Sequence, residues 1–307
     1  MSILVFGHKN PDTDTICSAI AYAELKGKLG KDVKAVRLGE VNEETKFVLD
    51  YFKVEKPELI ESVSGKEIML VDHNERTQTA DGFEEAKVLE LVDHHRISNF
   101  NVDEPLYVRM EPVGCTATII LKLFKENNLF PSPTTAGLML SAIVSDTLLF
   151  KSPTCTGCDV KAGKELAEIA GVNVEEYGLE MLKAGTALGG KSESELINMD
   201  MKIFEVDGSK IGVAQVNTVN EAELLERKEK LLAEINNIIN KEGLKFFIFA
   251  ITNILSNDSI GIVAGDGNAV IEKAFNEKID NNLIALKGVV SRKKQIIPPL
   301  TKAIQEA

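Results

Sequence analysis

The fold is decided by residues 2–14, SILVFGHKNPDTD, where a short apolar run ends in glycine and passes directly into polar residues. Such a run, bounded by glycine, is typical of a buried β-strand. Apolar residues then recur with helical spacing over 15–29, which predicts a helix. Pro11 interrupts regular structure between the two and holds the polar segment as a loop. The chain is therefore predicted to open with a strand, a polar loop and a helix.

The same order, a strand followed by polar residues, recurs in the first half of the chain. Further strands are predicted at 33–38, 67–71 and 88–92, and further helices at 43–53, 114–128 and 134–147. This alternation predicts βαβ units, and hence an α/β domain with a mainly parallel sheet flanked by helices. Strand 67–71 runs into Asp72, and strand 88–92 runs into Asp93. Because open α/β sheets bind ligands outside the carboxyl ends of their strands, we expect the three polar segments to meet at one edge.

A second, smaller domain is predicted beyond residues 185–194 (GTALGGKSES), whose Gly and Ser content indicates a flexible linker. The elements expected there are a hairpin formed by 201–206 and 210–216, a long helix at 221–242, strands at 245–252 and 259–264, and helices near 268–277 and after Pro299. Such a mixture indicates a mixed α/β unit. The predicted organisation is an N-terminal domain at 1–186, a linker at 187–194 and a C-terminal domain at 195–307.

The composition limits the classes of partner. The 307 residues carry a net charge of −12, with 44 % hydrophobic and 27 % charged residues, as in an ordinary globular protein. An acidic chain argues against binding to nucleic acid or to an anionic membrane, both of which favour a basic surface. Neither a stretch long enough to cross a membrane nor a signal peptide is apparent, so we expect a cytoplasmic location.

Four cysteines are present, and Cys155 and Cys158 form a single C-x-x-C pair. A redox pair or half of a zinc site is one interpretation. No second pair and no neighbouring histidine completes such a site, so two incidental reduced thiols are the favoured interpretation.

All histidines of the chain lie in, or within a few residues of, aspartate-containing segments at strand ends: His8, His73, His94 and His95. A single histidine on a strand is usually a satisfied core or surface residue. Four out of four beside aspartates point instead to metal binding, because imidazole and carboxylate ligands together suit Mn²⁺ or Co²⁺.

Three aspartates in these segments, and one further along, are candidate ligands. Asp12 and Asp14 are two residues apart and can point to different metals, although either could instead cap the following helix. Asp72 is a further candidate, and a single carboxylate can bridge two cations, which lie about 3.5–4 Å apart in two-metal hydrolases. Asp146, in the segment Ser145-Asp146-Thr147, could equally be an ordinary polar residue at a helix end.

A basic cluster, SRKKQ at 291–295, follows the strand-like Val289-Val290. A solvated face is the ordinary interpretation of such a run, and it is the favoured one for Lys294. Arg292 provides a planar fork for phosphate oxygens and Lys293 a mobile positive charge, so both are candidate anion ligands.

These segments resemble the family II, manganese-dependent inorganic pyrophosphatases of the DHH phosphoesterase superfamily. The resemblance rests on His8-x3-Asp12-x-Asp14, Asp72-His73-Asn74, Asp93-His94-His95, Ser145-Asp146 and SRKKQ, and it spans essentially the whole chain. It implies that pyrophosphate is hydrolysed to two phosphates by a metal-bridging hydroxide, in a two-metal site at an interdomain cleft. It also implies that the second domain is a DHHA2-type substrate-binding domain, with hinge closure at the linker.

The resemblance further implies a role for each candidate residue. One metal is expected on His8, Asp12 and Asp72, and the other on Asp14, Asp72, His94 and Asp146. His95 is expected to contact the substrate and donate a proton, and phosphate is expected to contact Lys202, Arg292 and Lys293. The implied cofactors are two Mn²⁺ per subunit, for which Co²⁺ or Mg²⁺ can substitute, with additional Mg²⁺ arriving with the substrate. The implied assembly is a homodimer through the N-terminal domain.

Two other functions are compatible with parts of this pattern, one a different enzyme and one a non-catalytic binding module. Another DHH phosphoesterase, acting on cyclic dinucleotides or oligonucleotide ends, is expected to carry a Gly-Gly-Gly-His type motif, which this chain lacks. The net charge of −12 also disfavours a nucleic-acid substrate. A non-catalytic metal- or anion-binding module would need neither a bridging carboxylate nor a hinge. Pyrophosphatase is therefore the favoured prediction, and the ligand chemistry does not rank Mn²⁺ against Co²⁺, Mg²⁺ or Zn²⁺.

Overall fold

The computed structural model describes residues 2–186 and 188–306. The chain divides into two compact units, Met1–Gly185 and Thr186–Ala307. Within the described residues, no helix is both long and apolar enough to cross a membrane.

The first unit contains a six-stranded sheet with helices packed against it. Its strands are β1 (Ile3–Phe6), β2 (Val33–Arg37), β3 (Glu58–Leu59), β4 (Glu67–Val71), β5 (Lys87–Asp93) and β6 (Tyr107–Met110). Its helices are α1 (Thr13–Lys28), α2 (Glu43–Tyr51), α3 (Thr116–Glu126), α4 (Pro133–Asp146), α5 (Gly157–Ala170) and α6 (Val174–Gly185). The predicted α/β class and mainly parallel sheet are confirmed.

The strand order of this sheet, β3-β2-β1-β4-β5-β6, positions the candidate site. Every pairing in it is parallel. Strands β1, β4 and β5 are therefore neighbours whose carboxyl ends lie at one edge. The polar residues that follow each strand meet there, as the sequence predicted.

Burial explains why these strands form. On β1 and β4 the side chains of Leu4, Phe6, Ile68 and Leu70 pack into one apolar cluster, which also includes Phe83. Val5, Met69 and Val71, which alternate with them, are fully buried as well. Strands that are apolar on both faces need cover on both sides, which is the usual condition of a parallel sheet.

The second unit contains a mixed five-stranded sheet of order β11-β10-β9-β8-β7. Its strands are β7 (Met201–Val206), β8 (Ser209–Thr218), β9 (Phe246–Asn253), β10 (Asp258–Gly265) and β11 (Leu283–Leu286). Its helices are α7 (Glu193–Asn198), α8 (Glu221–Glu226), α9 (Lys228–Glu242), α10 (Asn268–Phe275) and α11 (Ile297–Gln305), and one π-helical turn covers Arg292–Ile296. The β7–β8 hairpin turns at Asp207 and Gly208, both with positive φ, as the Asp-Gly pair predicts.

Two predictions for this part of the chain differ from the structure. The single helix predicted at 221–242 is wrong, because it is broken at Arg227. The Arg227 guanidinium binds Glu193 and the Lys191 carbonyl, a tertiary contact that helical periodicity does not encode.

The predicted linker also contains ordered elements. Ala187, its first residue, lies outside the described residues. Leu188 is buried in a core of the second unit. Ser192 caps α7, forming a capping box with Glu195. One of the serines that predicted flexibility, Ser192, therefore begins a helix.

Candidate metal centre

Asp72 lies at the centre of the candidate site. It immediately follows β4 and is 1 % exposed. Its backbone φ of +59° lies in the left-handed region, which Asp and Asn tolerate better than most residues. Thr15 donates a hydrogen bond to Asp72 Oδ2 (2.7 Å), and Thr116 donates one to Oδ1 (3.1 Å). These two hydroxyls fix the plane of the carboxylate.

On one side of Asp72 lie His8 and Asp12. His8 Nε2 is 3.6 Å from Asp72 Oδ2 and 3.3 Å from Asp12 Oδ2. Asp12 also caps α1, because its Oδ1 accepts a hydrogen bond from the Thr15 backbone at 2.9 Å. Capping and metal binding are thus compatible at Asp12, since each uses a different oxygen. The donor atoms of His8, Asp12 and Asp72 are spaced closely enough to hold one cation.

On the other side of Asp72 lie His94 and Asp146. His94 Nε2 is 3.4 Å from Asp72 Oδ1 and 3.8 Å from Asp146 Oδ2. His94 Nδ1 donates to the Val113 carbonyl (3.0 Å), which assigns its proton to Nδ1 and directs Nε2 towards the carboxylates. Asp14 and Asp146 belong to a further closely spaced donor group, together with Cys115.

Asp14 is held from two directions. Its side chain accepts a hydrogen bond from Ser18 (2.5 Å) and one from the Thr116 backbone (2.7 Å). Thr116, the first residue of α3, therefore contacts both Asp14 and Asp72. These contacts join residues far apart in sequence.

The carboxylates of the cluster lie close enough together to raise one another's pKa, which a bound cation would relieve. Burial, together with the charge of Asp14, raises the pKa of Asp72 to about 7. Burial and the charges of Asp14 and Asp72 also raise the pKa of Asp146 well above its usual value. Burial lowers the pKa of His94, but the Asp72 hydrogen bond and nearby carboxylate charges outweigh it and raise that pKa to about 9.

No lysine or arginine among residues 2–186 and 188–306 forms an ion pair with Asp12, Asp14, Asp72 or Asp146. Without lysine or arginine partners, these carboxylates depend on the neighbouring histidines, on bound protons or on metal ions for their stabilisation. Together with the imidazole nitrogens, they form a donor set that fits divalent cations such as Mn²⁺.

His95 is oriented by a hydrogen-bond chain. Its Nδ1 lies 2.9 Å from Asp93 Oδ1, while Asn74 donates to Asp93 Oδ2 at 2.6 Å. The Asp93 hydrogen bond raises the pKa of His95 above its usual value. His95 Nδ1 also lies 3.7 Å from Asp72 Oδ1, so spacing alone would admit it as a ligand. Since Asp93 binds Nδ1, Nε2 is the nitrogen available to a substrate.

A cavity of about 300 Å³ opens beside these groups and is lined in part by His8, Asp72, His95, Asn10 and Arg96. It provides space for a small anion next to Asp72, His8 and His95. The size lies at the lower end of the range for small-molecule sites.

The remaining histidine and the C-x-x-C cysteines are outside the cluster. His73 donates from Nδ1 to the Val71 carbonyl (3.0 Å), and burial lowers its pKa to about 4. Cys155 and Cys158 are free thiols, half-buried and exposed respectively. None of the three belongs to a potential metal-binding group within the described residues.

Of the candidate basic residues of the second unit, Arg292 contacts Asp200. Arg292 is 8 % exposed and pairs with Asp200, with Nη2 2.8 Å from Oδ1. It also donates to the Asp200 carbonyl. Asp200 immediately precedes β7, which carries the exposed Lys202. Lys293 is exposed, and so is Lys294.

Comparison with known proteins identifies the two parts of the chain. Residues 2–143 match the DHH family, N-terminal domain, and residues 179–303 match the DHHA2 domain. These matches define the class, a DHH protein with a DHHA2 second domain.

Full-length relatives define the family. A probable manganese-dependent inorganic pyrophosphatase of Exiguobacterium sp. is 60 % identical over 304 residues, covering 98 % of each chain. One of Bacillus cereus is 55 % identical over 305 residues, covering 99 % of each. The crystal structure of a Methanococcus jannaschii putative family II inorganic pyrophosphatase is 43 % identical, with a TM-score of 0.63 over 99 % of this chain and 100 % of that one. The chain belongs to the family of manganese-dependent inorganic pyrophosphatases.

Proposed function

We propose that this protein hydrolyses inorganic pyrophosphate to two phosphates at a two-metal centre. The observation that carries the proposal is that the two oxygens of Asp72 face different donor groups. Oδ2 faces His8, and Oδ1 faces His94. A single carboxylate so placed can serve two cations at once. The names of the full-length relatives support the same reaction.

The proposed ligands follow from this arrangement. His8, Asp12 and Asp72 hold one cation, while Asp14, Asp72, His94 and Asp146 hold the other. We propose two Mn²⁺ per subunit, with Co²⁺ or Mg²⁺ able to replace them and further Mg²⁺ entering with the substrate. Bound divalent cations would supply charge neutralisation and a water molecule of lowered pKa.

The side chains of the protein contribute orientation and proton transfer. Thr15 and Thr116 hold the Asp72 carboxylate in one plane. Asp93 holds His95 with Nε2 free. We propose that His95 donates a proton to the leaving phosphate from this nitrogen, which is general acid catalysis.

The experiment that tests the proposal is phosphate release from pyrophosphate by metal-stripped protein reloaded separately with Mn²⁺, Co²⁺, Mg²⁺ or Zn²⁺. Release that depends on added cation and is highest with Mn²⁺ supports it. A linear dinucleotide is the comparison substrate. Hydrolysis of the dinucleotide without hydrolysis of pyrophosphate would mean that the chain is a different DHH phosphoesterase. Metal binding without either activity would indicate a binding module.

We also propose Lys202, Arg292 and Lys293 as phosphate ligands. Arg292 is positioned by Asp200, so its guanidinium is held rather than free to rotate. Held donors stabilise developing charge more effectively than mobile ones, which suits phosphoryl transfer.

Replacing Lys293 with Ala is expected to lower kcat/KM for pyrophosphate roughly 10- to 100-fold, because a positive charge that contacts phosphate is lost. Lys294→Ala is the matched control, since it removes an exposed lysine at the adjacent position. We expect it to change kcat/KM less than about twofold, as exposed substitutions away from a site usually do. Steady-state kinetics of the two variants show whether Lys293 contacts phosphate. Equal effects would show that only the general charge of the segment matters.

We propose that the functional domains are 1–186 and 195–307, joined by 187–194. The DHH and DHHA2 matches support this division.

A cytoplasmic location is also proposed. Four free cysteines fit a reducing compartment, and cell fractionation measures it directly.

A homodimer through the N-terminal domain is the proposed assembly. Strand β6 supports it, because it is an edge strand whose Tyr107 and Val108 are 44 % and 47 % exposed. Unpaired edge strands are prone to pair with another chain. Sedimentation velocity is expected to show twice the chain mass, and Val108→Lys is expected to shift the protein towards monomer. A monomeric wild type at micromolar concentration would contradict the proposal.

A further inference from the structure

Asp159, near the start of α5, is a fully buried carboxylate outside the proposed ligand set. Its Oδ2 accepts hydrogen bonds from the Gly114 backbone (2.9 Å) and from Thr156, through the backbone (2.7 Å) and the hydroxyl (2.6 Å). Its Oδ1 accepts one from the Thr118 hydroxyl (2.7 Å). Burial raises the pKa of Asp159, but these hydrogen bonds outweigh it and hold the pKa below its usual value. Asp159 is therefore an anion fixed by four donors.

The segment that Asp159 fixes, residues 113–116, contacts three of the proposed metal ligands. The Val113 carbonyl accepts the hydrogen bond from His94 Nδ1. The Thr116 backbone donates to Asp14, and the Thr116 hydroxyl donates to Asp72. Gly114 lies between them and donates directly to Asp159. Any displacement of this segment would move His94, Asp14 and Asp72 together.

The packing around Gly114 leaves little room for displacement. A Cβ at this position would lie 2.9 Å from Asp159 Oδ2 and 2.9 Å from Thr147 Cγ2. Thr147 directly follows Asp146, the remaining proposed ligand of the same cation. Gly114 is thus in close contact with Asp159 on one side and with the residue next to Asp146 on the other.

We infer that Asp159 is a positioning residue, which sets the affinity of the cation bound by His94, Asp14, Asp72 and Asp146. The inference rests on the proposed function, because it presupposes that these four residues hold a metal. It differs from capping alone. The capping box with Thr156 uses Oδ2, while Thr118 binds the other oxygen and Gly114 belongs to another part of the chain. Direct hydrogen-bond partners of metal ligands typically contribute about 10- to 100-fold to metal affinity, and Asp159 acts one contact further out, so we expect an effect at the lower end of that range.

The test is Mn²⁺ binding to the metal-stripped protein. Calorimetry and the electron paramagnetic resonance signal of free Mn²⁺ measure the binding. Asp159→Asn has nearly the same shape, but its Nδ2 cannot accept the hydrogen bonds that an oxygen accepts. We expect about 10-fold weaker binding of one of the two Mn²⁺ ions, with the other ion changed less than about twofold. Thr118→Val keeps the carboxylate and removes one donor, so we expect a smaller loss of about 3- to 5-fold at the same ion.

Glu24→Gln is the matched control. Glu24 also accepts several hydrogen bonds, from the Ser132 backbone, the Ser132 hydroxyl and Thr135, but it does so at the opposite end of α4 from Asp146. We expect both carboxamide variants to lower the melting temperature, and only Asp159→Asn to weaken Mn²⁺ binding.

Three outcomes would overturn the inference. The first is wild-type Mn²⁺ affinity in a folded Asp159→Asn variant. The second, if Asp159→Asn does not fold, is wild-type Mn²⁺ affinity in Thr118→Val. An equal loss of Mn²⁺ affinity in Glu24→Gln would show that general stability, rather than Asp159, is responsible. A wild-type protein that binds no Mn²⁺ would refute the proposed metal centre itself, which distinguishes that failure from these three.

Discussion

Asp72→Asn is expected to lower Mn²⁺-dependent pyrophosphate hydrolysis at least roughly 1,000-fold and to abolish tight binding of the metal pair. Asp72 is the residue whose two oxygens face both donor groups, so its loss affects both proposed cations. An amide retains one oxygen and cannot serve two cations as an anion. Asparagine is the appropriate replacement because Asp72 has a φ of +59°, where alanine would add backbone strain to the loss of the ligand.

The same substitution is expected to stabilise the protein when metal is absent. The pKa of Asp72 is raised from 3.8 to about 7 in the folded protein. The folded state therefore binds more protons than the unfolded state between these values, and stability falls as pH rises from about 4 to about 7. Asn carries no charge and avoids this loss. Metal-free Asp72→Asn should therefore melt at a higher temperature than the metal-free wild type at about pH 8, with a difference that shrinks towards about pH 4.

Adding Mn²⁺ should reverse that order, because only the wild type gains the free energy of binding two cations. Thermal melts of both proteins, with and without Mn²⁺, measure the reversal. Thr77→Ala, at an exposed position in the segment that follows Asp72, is a suitable control and should behave as the wild type. A Mn²⁺-induced increase in melting temperature that is equal in Asp72→Asn and the wild type would exclude the bridging role.

The sequence predicted the part of the site that depends on local pattern and on sheet geometry. Runs of buried apolar residues that end in His8, Asp72 and Asp93 implied parallel strands, and parallel strands bring their carboxyl ends to one edge. The structure has β1, β4 and β5 side by side at that edge. The assignment of Asp146 depended on family resemblance, because a polar residue at a helix end has many ordinary explanations.

Contacts that join distant segments were not predictable. Thr116 contacts Asp14 and Asp72, which precede it by 102 and 44 residues, and a threonine at the start of a helix carries no signal of such partners. Arg292 was expected as a phosphate ligand, but its pairing with Asp200 spans 92 residues and has no local pattern. The short strands β3, β6 and β11 were missed for the same reason, since two to four residues form a strand only when a neighbouring strand is present.

His95→Gln is expected to lower kcat roughly 100- to 10,000-fold, since it removes a general acid while keeping a hydrogen-bonding side chain of similar reach. Mn²⁺ affinity should change less than about threefold, because Nδ1 is bound to Asp93 and Nε2 is directed to substrate rather than metal.

Asp93→Asn provides the matched test of the same role. Asp93 raises the pKa of His95, so its removal should lower that pKa, and the loss of activity with rising pH should begin at a lower pH. Kinetics across pH and Mn²⁺ titration of each variant separate the two possible roles of His95. A large loss of Mn²⁺ affinity in His95→Gln would make this histidine a metal ligand, as its 3.7 Å separation from Asp72 also permits, and would contradict its role as proton donor.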